Sequence, residues 1–167
     1  LWRSENSGKS WDRVTRKDQL PSVTTLLQDP REGKTHTWYY GTGEIVGNSA
    51  TAPGALYRGD GILKSTDGGK TFSVIPSTRT GDVSTFDSNF KYVNNLAIDG
   101  SNNRQDEIYA ATTGGIIRTT DGFNTWQQVL GQANEDARFT DVAVTATGEV
   151  YATISNLGEV EGSAADV

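Results

Sequence analysis

With 167 residues and 15 basic against 21 acidic side chains, net −6, the chain has the size of one ordinary domain and no basic footprint for nucleic acid. It has no cysteine and a single histidine, His36, which excludes disulfide frameworks, thiolate or multi-histidine metal centres and any Ser-His triad not built on that residue. No window approaches the roughly 18 apolar residues of a spanning helix, so no membrane insertion is expected.

The chain opens with Leu1-Trp2-Arg3 running into Ser4-Glu5-Asn6-Ser7-Gly8-Lys9-Ser10-Trp11. An Asn can bond backbone N–H groups two residues on, and Gly supplies the positive φ of a tight turn, so this reads as a hairpin returning along a strand at 10–14. A strand at 23–26 comes next, then one at Trp38-Tyr39-Tyr40-Gly41-Thr42, then a long loop from 43 to 60. Ile62-Leu63-Lys64 leads into Ser65-Thr66-Asp67-Gly68-Gly69-Lys70-Thr71-Phe72, the same hairpin pattern, with a return strand at 71–75. The order then repeats: strands at 93–96 and Ile108-Tyr109-Ala110-Ala111-Thr112, then Ile116-Ile117-Arg118 into Thr119-Thr120-Asp121-Gly122-Phe123-Asn124-Thr125-Trp126 and a strand at 125–130. Strands at 139–142 and 150–153 close the series, and no stretch carries helical periodicity with caps. Asn6 in place of Asp, and Phe123 in place of Gly, predict looser first and third turns.

Ser4, Ser65 and Thr119 begin turns 61 and 54 residues apart, a period that suggests propeller-type repetition. Each repeat reads as strands A, B, C and D, with the turn between C and D and a shared Tyr on B (Tyr39, Tyr109, Tyr151). The predicted fold is therefore all-β: part of a β-propeller with about three four-stranded antiparallel blade-equivalents. Its divisions are strands C–D at 1–15, a blade at 22–76, a blade at 92–130 and strands A–B at 139–155. Three periods fall short of the about 4–8 blades of a closed propeller, so the expectation is one domain whose remaining blades lie elsewhere in its own chain.

The pattern Ser/Thr-x-Asp/Asn-x-Gly-x-Ser/Thr-aromatic resembles the Asp-box, or BNR repeat, of sialidases, sortilin-type receptors and xyloglucanase-like propellers. By that resemblance Ser4, Asn6, Gly8, Trp11, Ser65, Asp67, Gly69, Phe72, Thr119, Asp121 and Trp126 are structural, since the box is a fold-stabilising turn and not the active site. The wording Trp38-Tyr39-Tyr40-Gly41-Thr42-Gly43-Glu44, Tyr57-Arg58-Gly59-Asp60-Gly61-Ile62 and the second turn is similar to sortilin-like propellers of large exported bacterial surface proteins, many of them type IX secretion cargo. A secreted or cell-surface location is what the resemblance implies, and the lack of cysteine fits it.

Antiparallel connectivity puts A–B and C–D turns at one end of a blade and B–C and D–A loops at the other. The long insertions fall at this second end, where binding groups concentrate on a rigid scaffold. Trp38, Tyr40, Glu44, Tyr57, Arg58 and Arg79 are the expected binding face, with Asp87, Phe90, Glu135, Asp136 and Arg138 from the same loops. For Trp38 and Tyr40 the competing expectation is packing between blades. Glu44, Asp60 and Asp82 are the candidate acids should the chain hydrolyse glycosides, a reaction that needs two carboxylates across the sugar. No cofactor is indicated; loop Asp and carbonyl oxygens could hold calcium, but no stretch has EF-hand spacing. The leading expectation is a non-catalytic scaffold that binds protein or glycan, with bacterial export machinery as a further partner. The rival is part of a xyloglucanase-like glycoside hydrolase.

Overall fold

The computed structural model describes residues 1–19, 22–48, 53–79, 89–131 and 137–156. A two-stranded hairpin, β1 (Trp2–Arg3) and β2 (Asp12–Arg13), comes first. Next come β3 (Val23–Gln28), β4 (Trp38–Thr42), β5 (Glu44–Asn48), β6 (Pro53–Tyr57), β7 (Ile62–Ser65) and β8 (Ser73–Val74), then a 3₁₀ turn at Pro76–Thr78. A second series holds β9 (Val93–Ile98), β10 (Ile108–Thr112), β11 (Gly115–Thr119) and β12 (Gln127–Leu130), and β13 (Ala137–Val144) and β14 (Val150–Asn156) end it. Two antiparallel sheets have four strands each, in the orders β3-β4-β7-β8 and β9-β10-β11-β12.

The segment expected to be a loop between β4 and β7 instead forms a hairpin of its own, β5 pairing antiparallel with β6. Its flanking glycines are steric requirements. Gly43 has φ +93°, and a Cβ there would sit 2.0 Å from the Lys91 carbonyl oxygen. The Gly59 N–H donates to that same oxygen at 2.8 Å.

Burial follows strand position. In β3 exposure alternates along the strand, as expected where only one face is covered. In β10 all five residues are buried, as expected for an inner strand packed on both faces. Three apolar clusters lie between successive units. The first joins the β1–β2 hairpin to the first full sheet through Leu1, Val14, Tyr40, Leu63 and Phe72. The largest joins the two full sheets around Tyr39, Ile62, Phe90, Ile108, Ile117 and Phe123. The third joins the second sheet to the β13–β14 pair through Tyr109, Ile116 and Val142.

The first strands of successive units lie side by side along the inner edge. Thr24 Oγ1 donates to Val93 O, and Thr25 Oγ1 donates 3.0 Å to Asn95 Oδ1. Asn94 Nδ2 donates 3.0 Å to Thr140 Oγ1, and Asn95 Nδ2 donates 2.6 Å to Asp141 Oδ1. Four-stranded antiparallel sheets stacked face to face in chain order, with their first strands converging, are the blades of a β-propeller. The chain is all-β and forms part of one.

The recurring turns are equivalent in atomic detail. In each, the leading hydroxyl oxygen accepts the N–H two residues on and the N–H four residues on; for the latter the distances are Gly8 to Ser4 2.8 Å, Gly69 to Ser65 3.0 Å and Phe123 to Thr119 2.9 Å. In each, Oδ1 of the central Asn or Asp accepts the leading hydroxyl and the N–H of the closing residue, Ser10, Thr71 or Thr125. Paired positive φ values recur too, at Ser7 and Gly8, Gly68 and Gly69, and Gly122 and Phe123. The first and third turns therefore keep this shared bonding pattern, although the Lys70 N–H bond to Asp67 Oδ1 belongs to the second alone. Asn6 preserves it by reversing one bond, its Nδ2 donating 2.8 Å to Ser10 Oγ, where Thr71 and Thr125 hydroxyls donate to carboxylates.

Candidate functional site

In all three turns the leading hydroxyl and the central Asn or Asp are bonded within the turn itself. The Thr71 hydroxyl and N–H, with Ser65 and Lys70, hold the Asp67 carboxyl well below the usual carboxylate range. The Thr125 N–H and hydroxyl do the same for Asp121. These carboxylates are committed to the backbone and are not poised for proton transfer.

Strand register fixes which end of the blades carries each candidate. The A–B connections lie at the turn end: the Gly68 N–H donates to His36 O at 2.9 Å, and the Gly122 N–H to Asp106 O at 3.1 Å. Trp38 pairs with Ser65, the first residue of the second turn, so it stands at the turn end and not on the loop face. It lines a separate cleft of about 290 Å³ there with Trp2, Leu26 and Phe72. Tyr40 is fully buried, its ring 4.8 Å from that of Phe72. It is a packing residue between the first hairpin and the first sheet, and cannot serve as a platform for a ligand.

At the opposite end, Glu44 and Tyr57 are cross-strand partners and both are exposed, with exposed Arg58 following. Asp60 is nearby in sequence but buried; its N–H donates 2.7 Å to Thr42 Oγ1, which in turn donates 2.7 Å to Gly61 O. Arg79 Nε lies 2.7 Å from Asp60 Oδ1, yet that oxygen accepts no aligned hydrogen bond, so the contact is an ion pair only. Burial raises the Asp60 carboxyl above its ordinary pKa against the pull of Arg79. Burial, with the Asp60 charge adding to it, pushes Tyr40 up to about 12. Asp82, Asp87, Glu135 and Asp136 lie outside the described residues. Phe90 is buried in the main core, edge-on to Phe123 and Trp126, so it contributes packing and not a loop contact.

Glu44 lies in a cleft of about 510 Å³ at this same end. The cleft is built from the starts of three successive inner strands: Ser22, Val23 and Thr24 before and in β3, Asn94 in β9, and Phe139 and Thr140 in β13. The Gly43 N–H bonds the Ser22 carbonyl and hydroxyl, pinning the end of β4 to the entry of β3. The equivalent polar positions Thr24, Asn94 and Thr140 were not expected as a site. Their signal was present in the aligned words Val-Thr-Thr-Leu, Val-Asn-Asn-Leu and Phe-Thr-Asp-Val. Chemically the cleft offers one exposed carboxylate, the Ser22 hydroxyl and the part-exposed Phe139 ring, while Thr24, Asn94 and Thr140 already bond between strands. That combination accepts and donates to hydroxyl groups beside an apolar face. Among the described residues, no three His, Asp or Glu side chains converge as a metal site would need.

One constellation escaped the sequence reading altogether. Arg31, buried in the first A–B connection, donates to both Asp29 oxygens at 2.9 and 2.6 Å, to Asp106 at 2.8 Å, and to the carbonyls of Asn102 and Gln105. Its partners Asn102, Gln105 and Asp106 belong to the next blade, so this is a clamp between blades. Burial opposes the Asp106 charge, but Lys34 and Arg31 outweigh it and lower its pKa.

No family model and no curated protein matches the chain. Among solved structures it is similar to YCF48 from Cyanidioschyzon merolae, with 16% identity and a TM-score of 0.46, over 86% of this chain and 37% of that one. It is also similar to an ancestral GH74 enzyme, with 18% identity and a TM-score of 0.43, over 94% of this chain and 25% of that one. The chain thus spans well under half the length of either protein. The propeller assignment rests on the sheet order and stacking described above.

Proposed function

We propose that the chain is a non-catalytic binding segment of a propeller in a large secreted or cell-surface bacterial protein, carried there as type IX secretion cargo. Its recurring turns are Asp-boxes of the sortilin-like kind, with a structural role. Support for that role is that the leading hydroxyl and the central Asn or Asp of each turn bond within their own hairpin. The observation that carries the binding reading is the cleft where three inner strands and Glu44 meet. Hydroxyl-rich ligands suit it: Glu44 accepts their O–H groups and Phe139 covers an apolar sugar face. The test is titration calorimetry against soluble polysaccharide fragments with the unaltered chain, Glu44→Gln and Phe139→Ala. Expected is at least a tenfold loss of affinity in each variant; unchanged binding removes the cleft from the reading, and partner capture independent of both residues favours a protein ligand elsewhere on the loop face.

A second reading, part of a xyloglucanase-like glycoside hydrolase, is favoured by one observation. Asp60 is a buried carboxyl whose pKa is raised by burial, the property required of a general acid. Polysaccharide hydrolysis abolished by Asp60→Asn, with Glu44→Gln and Asp82→Asn as further candidates, would favour it over the binding reading.

A further inference from the structure

The groove between the two full blades, at the turn end, holds a cation that its own repeat does not neutralise. In every repeat the residue before the turn is a cation: Arg3, Lys64 and Arg118. Arg3 bonds Glu5, and Arg118 Nε donates 2.7 Å to Glu107 Oε1. Among the described residues the half-buried Lys64 forms no side-chain hydrogen bond and no ion pair; its Nζ stands over the Tyr39 ring, 5.3 Å from the centroid.

The difference between the blades comes down to one position. Residues 29–37 join β3 to β4 and residues 99–107 join β9 to β10, nine in each case. Each connection is closed by the same bond, Asp29 N–H to Thr37 O and Asp99 N–H to Glu107 O, both at 3.0 Å. Tyr39 pairs with Lys64 as Tyr109 pairs with Arg118. Thr37 is therefore the counterpart of Glu107. In the second blade Glu107 Oε1 accepts the Tyr109 hydroxyl at 2.8 Å as well as Arg118. The first blade has no carboxylate at that point, and the Tyr39 hydroxyl has no hydrogen-bond partner among the described residues. Both groups converge on one spot: a Cβ on Gly122 would stand 3.3 Å from the Tyr39 hydroxyl oxygen and 3.5 Å from Lys64 Nζ. Burial raises the Tyr39 phenol above its ordinary pKa, so it remains a donor. The neighbouring carboxylates are already engaged, Asp106 by Arg31 and Lys34, and Asp67 and Asp121 by their own turns.

We propose that this groove binds an acidic sugar, a hexuronic acid residue, whose carboxylate takes from Lys64 and Tyr39 the two contacts that Glu107 takes from Arg118 and Tyr109. The groove holds about 330 Å³, within the about 300–1,000 Å³ of small-ligand sites. Its remaining lining suits a hydroxylated ring. Thr66 and Ser73 present exposed hydroxyls that make no hydrogen bond among the described residues, with Asn124 beside them, while Val74 and Pro76 form an apolar strip. A carboxylate held by an ammonium group makes a charge-assisted bond, about twice as strong as the neutral bonds a plain sugar would offer. The acid is therefore what the groove selects. It lies at the opposite end of the blades from the Glu44 cleft and does not depend on that cleft.

Titration of the full chain with trigalacturonate, followed by amide NMR shifts, is expected to give saturable changes centred on residues 64–66, 73–76 and 122–124. The methyl-esterified trimer, which lacks the charge, should bind at least tenfold more weakly. Lys64→Gln should cost at least tenfold in affinity for trigalacturonate. Thr37→Glu should cost as much, because it supplies from within the blade the carboxylate that Glu107 supplies in the next one. No shifts at millimolar trimer, equal binding of the ester, or an affinity that neither substitution moves each overturns the proposal. Shifts confined to the surroundings of Glu44 and Phe139 also overturn it, and place the sugar in the other cleft. A pentaglutamate peptide that matches the trimer at the same amides overturns the choice of a sugar. The amide spectra report whether each variant is folded; should Thr37→Glu not fold, Lys64→Gln decides alone.

Discussion

Phe123 is the residue where two demands meet. Its backbone has φ +68°, a region that disfavours any side chain, yet its ring is fully buried between the two sheets. Left-handed backbone costs an L-residue about 1–2 kcal/mol, while removing a buried Phe side chain costs about 3–5 kcal/mol, so burial wins. Phe123→Ala is therefore expected to lose about 3–5 kcal/mol in urea unfolding, because it forfeits the ring and keeps the strained backbone. Phe123→Gly should lose about 1 kcal/mol less, reversing the usual order of Gly and Ala; an Ala variant more stable than the Gly variant would contradict the backbone argument. Acid response belongs to the same scale. Asp67 and Asp121 have folded pKa values below the unfolded carboxylate value of about 3.9. Their contribution is complete above that value and fades as pH falls through the folded values. Thermal melts of the unaltered chain between pH 5 and pH 2 should fall more steeply than those of Asp67→Asn/Asp121→Asn, and parallel slopes would show that the two turns are uncoupled from global stability.

Between elements, the clamp at Arg31 is the connection most sensitive to one substitution. Arg31→Met leaves Asp29, 2% exposed at its side chain, as an uncompensated buried charge, so a loss of about 3–5 kcal/mol is expected. Asp29→Asn added to Arg31→Met should recover part of that loss; a double variant no better than the single would mean the packing of the arginine, not its charge, holds the blades. This clamp was illegible in the sequence because Arg31 and its partners Asn102, Gln105 and Asp106 are more than 70 residues apart. The turns were legible because the bonds made by their leading hydroxyl and central Asn or Asp side chains span four residues or fewer. Trp38 and Tyr40 misled for a different reason. β4 is buried on both faces, so its composition does not tell which side chains meet a ligand and which meet the next sheet. The β5–β6 hairpin was hidden by Gly, Ala and Pro, which dilute the alternation by which a strand announces itself.

On the scale of the whole molecule, stability is distributed as in a stack, where each unit is held by its neighbours. The core between the two full sheets joins eleven buried residues, whereas the first hairpin holds only two cross-strand pairs and β14 is mostly exposed. Native-state hydrogen exchange should therefore be slowest in β4, β7, β10 and β11, opening only with global unfolding, and fastest in β1, β2 and β14. Equal protection in all strands would show instead that the blades open as one cooperative unit and that the stacked description fails.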